Sequence, residues 1–179
     1  MMTPDAAWEA RLATLWASLD ELDADEFVDR VDALVAQLPG DGAVALFERA
    51  AAQDSTGHPE VAVGLYRGAL QAGLDGLRRR RAAIQLASSL RNLDEADEAA
   101  ALLSAELAQP GDELDGAVGA FLALALVDLG REREAVAVSL TALSRYLPRY
   151  SRSLTRYAQE LCTPSRRPPD CDPNTDTSR

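Results

Sequence analysis

Lysine is absent from this chain. All 18 basic side chains are arginine, set against 29 acidic ones, for a formal net charge of −11. A chain this acidic is a poor general ligand for nucleic acid, because displacing counterions from phosphates requires a basic face. No nucleic-acid partner is expected. Aromatic residues are also scarce, at 5%, and the 47% hydrophobic share is carried by Ala, Leu and Val. That composition excludes a sheet sandwich built on aromatic and β-branched strands and favours closely packed helices.

Other absences exclude further classes. The two cysteines, Cys162 and Cys171, have no CxxC spacing and no histidine nearby, so neither a disulfide framework nor a thiolate metal site is expected. The single histidine, His58, precedes Pro59 at a turn and cannot build a multi-histidine site. There is no nucleophile–base pair, metal-ligand cluster or phosphate loop, so neither catalysis nor a cofactor is expected. The most apolar stretch, GAVGAFLALALVDLG at Gly116–Gly130, contains Asp128 and is shorter than the ~20 residues a membrane span needs. It reads as a core helix. The opening MMTPDAAWEARL has no basic n-region and no apolar h-region, so the expectation is a cytoplasmic protein with no membrane association.

What is present is helical periodicity. Thr3 and Pro4 suit a helix start, with the Thr3 hydroxyl as cap and the proline in the first turn, and Trp8, Leu12, Leu15, Trp16 and Leu19 follow at helical spacing. A second helix is predicted from Asp23, its cap, with Glu26 three residues on. Phe27, Val31, Leu34, Val35 and Leu38 share one face, and Pro39-Gly40 is the stop.

Beyond Gly42 the chain repeats itself. ALFERAAAQDSTGHPEVAVGLYRGAL, AIQLASSLRNLDEADEAAALLSAEL and AFLALALVDLGREREAVAVSLTAL align so that Ala50, Ala87 and Ala123 correspond, separated by 37 and 36 residues. Ala62, Ala99 and Ala135 keep the same separations, a turn position falls at Gly57, Asp94 and Gly130, and Leu70, Leu107 and Leu143 close the units. Each unit reads as a helix, a turn and a second helix with small residues at the closest approach. Such hairpins cannot bury their faces alone and gain a core by stacking, which leaves ends that need caps.

These residues resemble the tetratricopeptide repeat. Its pattern combines a small residue midway in the first helix, Gly at the turn, Ala early in the second helix, a large residue four on and Ala three beyond. The first unit matches with Ala50, Gly57, Ala62, Tyr66 and Ala69, and the third with Ala123, Gly130, Ala135 and Ala142, followed by Pro148. The third has Ser139 for the large residue. The second has Asp94 for the turn glycine and Glu106 for the last alanine, while Ala87, Ala99, Leu103 and Pro110 fit. LYRGALQAGLDG with IQLASSLRNL further resembles a family of short bacterial tetratricopeptide proteins. The expected architecture is therefore an all-α solenoid of about nine helices, forming one domain over residues 1–163. A helical cap spans 4–39, the repeats about 43–148, and a capping helix about 149–162 with Tyr150, Leu154, Tyr157, Ala158 and Leu161 on its packed face. Residues 164–179, rich in Pro, Asp, Ser and Thr, are expected to be a disordered tail.

The resemblance implies a non-catalytic adaptor or scaffold that binds a partner peptide or helix in a concave groove lined by the first helices. The best-known groove chemistry of the family, a clamp of Lys, Asn and Arg on a partner's terminal carboxylate, is not expected here, because Phe47 and Ala51 stand where the first unit would need Lys and Asn. In the middle unit, Ala83, Leu86, Ala87, Leu90 and Leu93 form the buried stripe. Arg81, Gln85, Ser88 and Asn92 form another, turned toward the groove, with Arg91 at its edge. Neighbouring units would contribute Phe47, Glu48, Ala51 and Asp54 on one side and Ala120, Phe121, Leu124 and Asp128 on the other. A peptide with an apolar anchor and an acidic or amide-accepting centre would fit.

The run Arg78-Arg79-Arg80-Arg81 meets the positive end of a helix macrodipole, at a cost of about 0.3–1 kcal/mol each before screening. Asp75, Asp54, the acids of Asp94–Glu98 or an external anion could offset it. Charge is also uneven along the chain. Residues 1–60 hold 13 acidic and 3 basic side chains, and residues 131–160 hold 3 acidic and 6 basic. An alternative to the adaptor is therefore a self-associating module, a homo-oligomer that pairs its acidic N-terminal half with the Arg-rich C-terminal region. In SRYLPRYSRSLTRY, Arg149, Arg152 and Arg156 are expected to face outward from a tyrosine-bearing packed side.

Overall fold

The computed structural model describes residues 4–38 and 42–163. Pro39-Gly40, Cys171 and the tail at 164–179 lie outside them. Among the described residues nine α-helices follow one another: α1 (Ala6–Ala17), α2 (Ala24–Val35), α3 (Ala43–Ser55), α4 (Pro59–Gln71), α5 (Gly76–Asn92), α6 (Ala96–Leu107), α7 (Asp115–Asp128), α8 (Glu132–Ser144) and α9 (Ser151–Cys162). A single 3-10 turn at Leu19–Glu21 links the first two. No strand occurs among the described residues, and no helix there is long and apolar enough to cross a membrane.

Helices α3 to α8 form three hairpins. At the turn of each, Gly57, Asp94 and Gly130 adopt φ of +88°, +64° and +68°. The following residue reaches back five positions. His58 N–H donates to Gln53 O at 2.9 Å, Glu95 N–H to Leu90 O at 2.9 Å and Arg131 N–H to Leu126 O at 2.8 Å. This is one Schellman closure shared by the three hairpin turns, and it satisfies carbonyls that the helix end would orphan. Asp94 takes the left-handed conformation that glycine takes in the other two units, where an L side chain is strained.

The alanines chosen by the repeat register are the contact points. Ala50, Ala62, Ala87, Ala99 and Ala135 are at most 3% exposed and Ala123 is 7%. Around them lies one continuous core that includes Phe47, Tyr66, Leu90, Leu103 and Val118, with the Phe47 and Tyr66 rings 6.2 Å apart. A second core joins α1 and α2 to α3 through Trp8, Leu12, Phe27, Val31, Leu34 and Val35 against Ala45 and Ala52. The first helices touch in succession, α3 to α5 and α5 to α7, which places them on the inner side of the stack.

Three local expectations are corrected. The side-chain cap of α1 is Asp5, which accepts from Trp8 N–H at 2.7 Å, and Thr3 lies outside the described residues. Asp23 does cap α2, but Glu26 pairs with Arg30 at 2.5 Å, one turn along, instead of reaching back to the cap. In α9, Ala158 is the buried residue. Tyr150 and Tyr157, expected on the packed face, are 78% and 53% exposed. Tyr150 sits at the N-cap with φ +69°, which places it before the helix, and α9 meets α8 through short side chains, with Thr155 Oγ1 3.0 Å from Ser144 Oγ.

Candidate functional site

The middle helix α5 packs against helices on several sides, and that fixes the fate of its arginines. Arg78 lies between α1 and α3, with Nη2 2.6 Å from Glu9 Oε2 and Nε 3.1 Å from Glu48 Oε1. Glu48 is 2% exposed and also accepts from the Trp16 indole N–H at 3.2 Å. Burial pushes the Glu48 carboxyl above its ordinary value, against the opposing pull of Arg78, Trp16 and, at longer range, Arg81. Burial disfavours the charged form of Arg78, but the two carboxylates outweigh it and hold the guanidinium above its usual value.

Arg79 donates through both terminal nitrogens to Glu106 on α6, Nη1 to Oε2 at 2.9 Å and Nη2 to Oε1, and that hydrogen bonding raises its pKa. Glu106 replaces the closing alanine of the repeat, and the arginine 27 residues upstream is its compensation. Arg80, its side chain 5% exposed, places Nη2 2.6 Å from Asp115 Oδ1 and Nη1 2.9 Å from Asp112 Oδ1, and donates to the carbonyls of Glu106 and Pro110. Arg145 binds the other oxygen of Asp115. Burial would raise the Asp115 carboxyl, but hydrogen bonds from Arg145, the Asp112 N–H and Arg80 outweigh it and hold it below the usual carboxylate range.

Three of the four arginines therefore answer the chain's own acids. Those acids are Glu9, Glu48, Glu106, Asp112 and Asp115; the expected Asp75, Asp54 and Asp94–Glu98 do not pair with the run. The one visible sequence signal was Glu106, an acid at an alanine position.

Arg81 has the other outcome. It is exposed, no carboxylate among the described residues lies in ion-pair range, and its guanidinium stands 5.3 Å from the centroid of the Phe47 ring. From Arg81 the stripe continues through half-buried Gln85 and Ser88 to exposed Asn92. Arg91, half-buried, pairs with Asp128 and so joins α5 to α7 along the stripe. On the α7 side Phe121 is half-buried and Leu124 is 45% exposed. On the α3 side Phe47 and Ala51 are 0% and 1% exposed, so they offer no apolar surface to a ligand; α5 and its Arg81 cover that flank. Glu48 is likewise buried in its ion pair. Asp54 accepts from Ser89 Oγ at 2.9 Å and from Tyr66 O–H at 3.5 Å, and burial raises its carboxyl and the Tyr66 phenol. The role of half-buried Asp54 in tying α3 to α5 carried no sequence signal.

His58 is exposed, with Nδ1 3.4 Å from Thr56 Oγ1, and Cys162 is an exposed free thiol. Among the described residues no group of three His, Cys, Asp or Glu could hold a metal ion. A family model described as the tetratrico peptide repeat matches residues 43–161, which is more than half of the chain and reaches from α3 into the last turn of α9. No curated protein and no solved structure matches the chain.

Proposed function

The chain belongs to the tetratrico peptide repeat family, a family of generally non-catalytic protein-interaction modules, and from that premise we propose that it is an adaptor holding a segment of a partner protein along the inner side of α3, α5 and α7. The observation that carries this reading is the contrast within the arginine run. Arg78, Arg79 and Arg80 are consumed by internal carboxylates, whereas Arg81 heads an accessible polar stripe with Gln85, Ser88 and Asn92 and makes no ion pair among the described residues, although its charge reaches Glu48 at longer range. A partner segment with a carboxylate or amide carbonyl near Arg81 and an apolar side chain toward Phe121 and Leu124 matches this surface.

The test is site-specific crosslinking in the source cell. A photoreactive residue at Ser88 is expected to trap a partner that one at Gly64, exposed on α4, does not. Arg81→Glu is expected to abolish the adduct while circular dichroism shows the helical fold retained. Equal adducts from both positions, or an adduct that survives Arg81→Glu, would overturn the groove reading.

A further inference from the structure

Each of the first two hairpins has one flank covered by the helix that follows, and the third does not. On α3 and α4 the residues of that flank are Phe47, Ala51, Val63 and Tyr66, from 0% to 7% exposed against α5. One repeat later, Ile84, Ala100 and Leu103 hold matching positions at 6%, 5% and 1%, against α7, and Ser88, the equivalent of Ala51, is half-buried. The same register in the third hairpin gives Ala120, Leu124, Val136 and Ser139, all exposed, with Leu124 at 45% and Val136 at 49%. Val127 at 51% and half-buried Leu140 extend the surface into an apolar trough between α7 and α8.

The capping helix does not close this trough. α9 runs antiparallel to α8, with Arg133 Nε donating to Leu161 O at 3.2 Å and Thr155 bonded to Ser144. Its side of α8 includes Ala137, which lines with Ala158 the small cavity between the two helices. The repeat equivalents of Ala137 are Gly64 and Ala101, both exposed on their own helices. α9 therefore covers the outer face of α8, and the flank that received α5 and α7 in the preceding repeats stays open.

We propose that this trough is the docking site for the α1 end of a second copy of the chain, so that copies stack head to tail and continue the solenoid. Two observations select this occupant. The trough is the next register of a stacking interface that the chain already builds twice, and in both cases the occupant is an α-helix. α1 supplies such a helix, with exposed alanines at Ala6, Ala10, Ala13 and Ala17 that share one face and leave room for the protruding Leu124, Val127 and Val136. The ends also differ in charge. Residues 1–60 carry a net −10 and residues 131–160 a net +3, so head-to-tail approach is attractive, whereas pairing two C-terminal ends is not. The contact is heterologous and extends into open chains or closes into a ring. The trough and the groove meet at Leu124, but Val136 and Ala13 lie outside the α5 stripe, so variants there test this contact separately from the groove reading.

The test uses the full chain, its mass followed by sedimentation over a wide concentration range, with circular dichroism checking that each variant folds. The wild type is expected to grow with concentration from monomer to dimer and beyond. Val136→Glu, in the trough, and Ala13→Glu, on α1, each place a carboxylate in the contact and are expected to weaken self-association about tenfold or more. Mixing the two variants is the decisive arm. One keeps an intact trough and the other an intact α1, so the mixture is expected to recover a heterodimer and nothing larger. A wild type that stays monomeric at every concentration overturns the proposal. So does a dimer that survives Ala13→Glu but not Val136→Glu, with no recovery on mixing, since that outcome assigns the trough to a two-fold contact.

Discussion

The chain has two basic stretches, Arg78–Arg81 at the start of α5 and the Arg145–Arg156 segment with its tyrosines, and the structure treats them in opposite ways. Arg78, Arg79 and Arg80 bind Glu9, Glu48, Glu106, Asp112 and Asp115, three of which are buried carboxylates. In the C-terminal segment Arg149 and Arg152 have no ion pair among the described residues, Arg156 meets Glu160 at 3.8 Å with both side chains 65% exposed and lies 4.9 Å from the centroid of the exposed Tyr157 ring, and Tyr146 and Tyr150 are also exposed. Arg145 alone reaches inward, to Asp115. The cause is the number of packed sides. α5 is held between α3, α4, α6 and α7, so cations entering its first turn lose water and require carboxylates, whereas α9 packs mainly on α8 and water screens its charges. Density of charge along a sequence is therefore a weak guide to a binding site; the packing of the element decides.

The comparison breaks most readily at Arg80. Arg80→Ala leaves Asp115 buried with Arg145 as its remaining cation and is expected to cost about 3–5 kcal/mol, the usual loss when one partner of a buried pair is removed. Arg152→Ala on α9 is expected to stay within about 0.5 kcal/mol of wild type. Urea unfolding of the two variants measures the contrast, and equal losses would refute it.

A smaller effect is expected at Arg79, which neutralises the acid at an alanine position. Arg79→Ala leaves the Glu106 carboxylate buried without its bidentate partner, at a cost of about 1–3 kcal/mol. Adding Glu106→Ala restores the repeat pattern and is expected to recover most of the loss in a double-mutant cycle. A double variant no more stable than Arg79→Ala would show that Glu106 does not depend on Arg79.

The acids around the run separate by titration. Asp115, with its carboxyl lowered in the folded state, contributes stability above its unfolded pKa that is lost as pH falls through the folded value. Glu48, raised by burial, has the opposite sign; its contribution favours the folded state at low pH and is lost as pH rises through the folded value. Carboxyl-carbon NMR is expected to place Glu48 above and Asp115 below their ordinary values, with Arg80→Ala moving Asp115 upward and leaving Glu48 in place. The smallest expected effect is at the exit of α5, where Asp94→Gly relieves a left-handed residue and adds about 0.5–1 kcal/mol. Thermal unfolding checks it, and a loss of stability would show that the Asp94 side chain has a compensating role.

Much of the stripe at Arg81, Gln85, Ser88 and Asn92 was legible because helical spacing separates it from Ala83, Leu86, Ala87 and Leu90, all four of which are buried, with Leu93 half-buried beyond them. Phe47 and Ala51 were misplaced for a different reason. Spacing puts them on the side of α3 that faces the next repeat, but only the stacking angle decides whether that side lies open or under α5. The tyrosines of α9 were misplaced likewise, since amphipathic spacing predicts a packed side and α8 offers short residues to pack against.

What the sequence determined by itself is the hairpin and its register: apolar spacing near 3.6, alanines at separations of 37 and 36, and a left-handed turn position that recurs even where aspartate replaces glycine. These are local, because a helix and its closure depend on neighbours a few residues away. What only the tertiary structure decided is which charges are consumed and which flank is left open. The partners of Arg78, Arg79 and Arg80 lie 69, 27 and 35 residues away at Glu9, Glu106 and Asp115. Such pairings, like the side of α8 that α9 covers, are set by how hairpins stack, and no local spacing encodes that geometry.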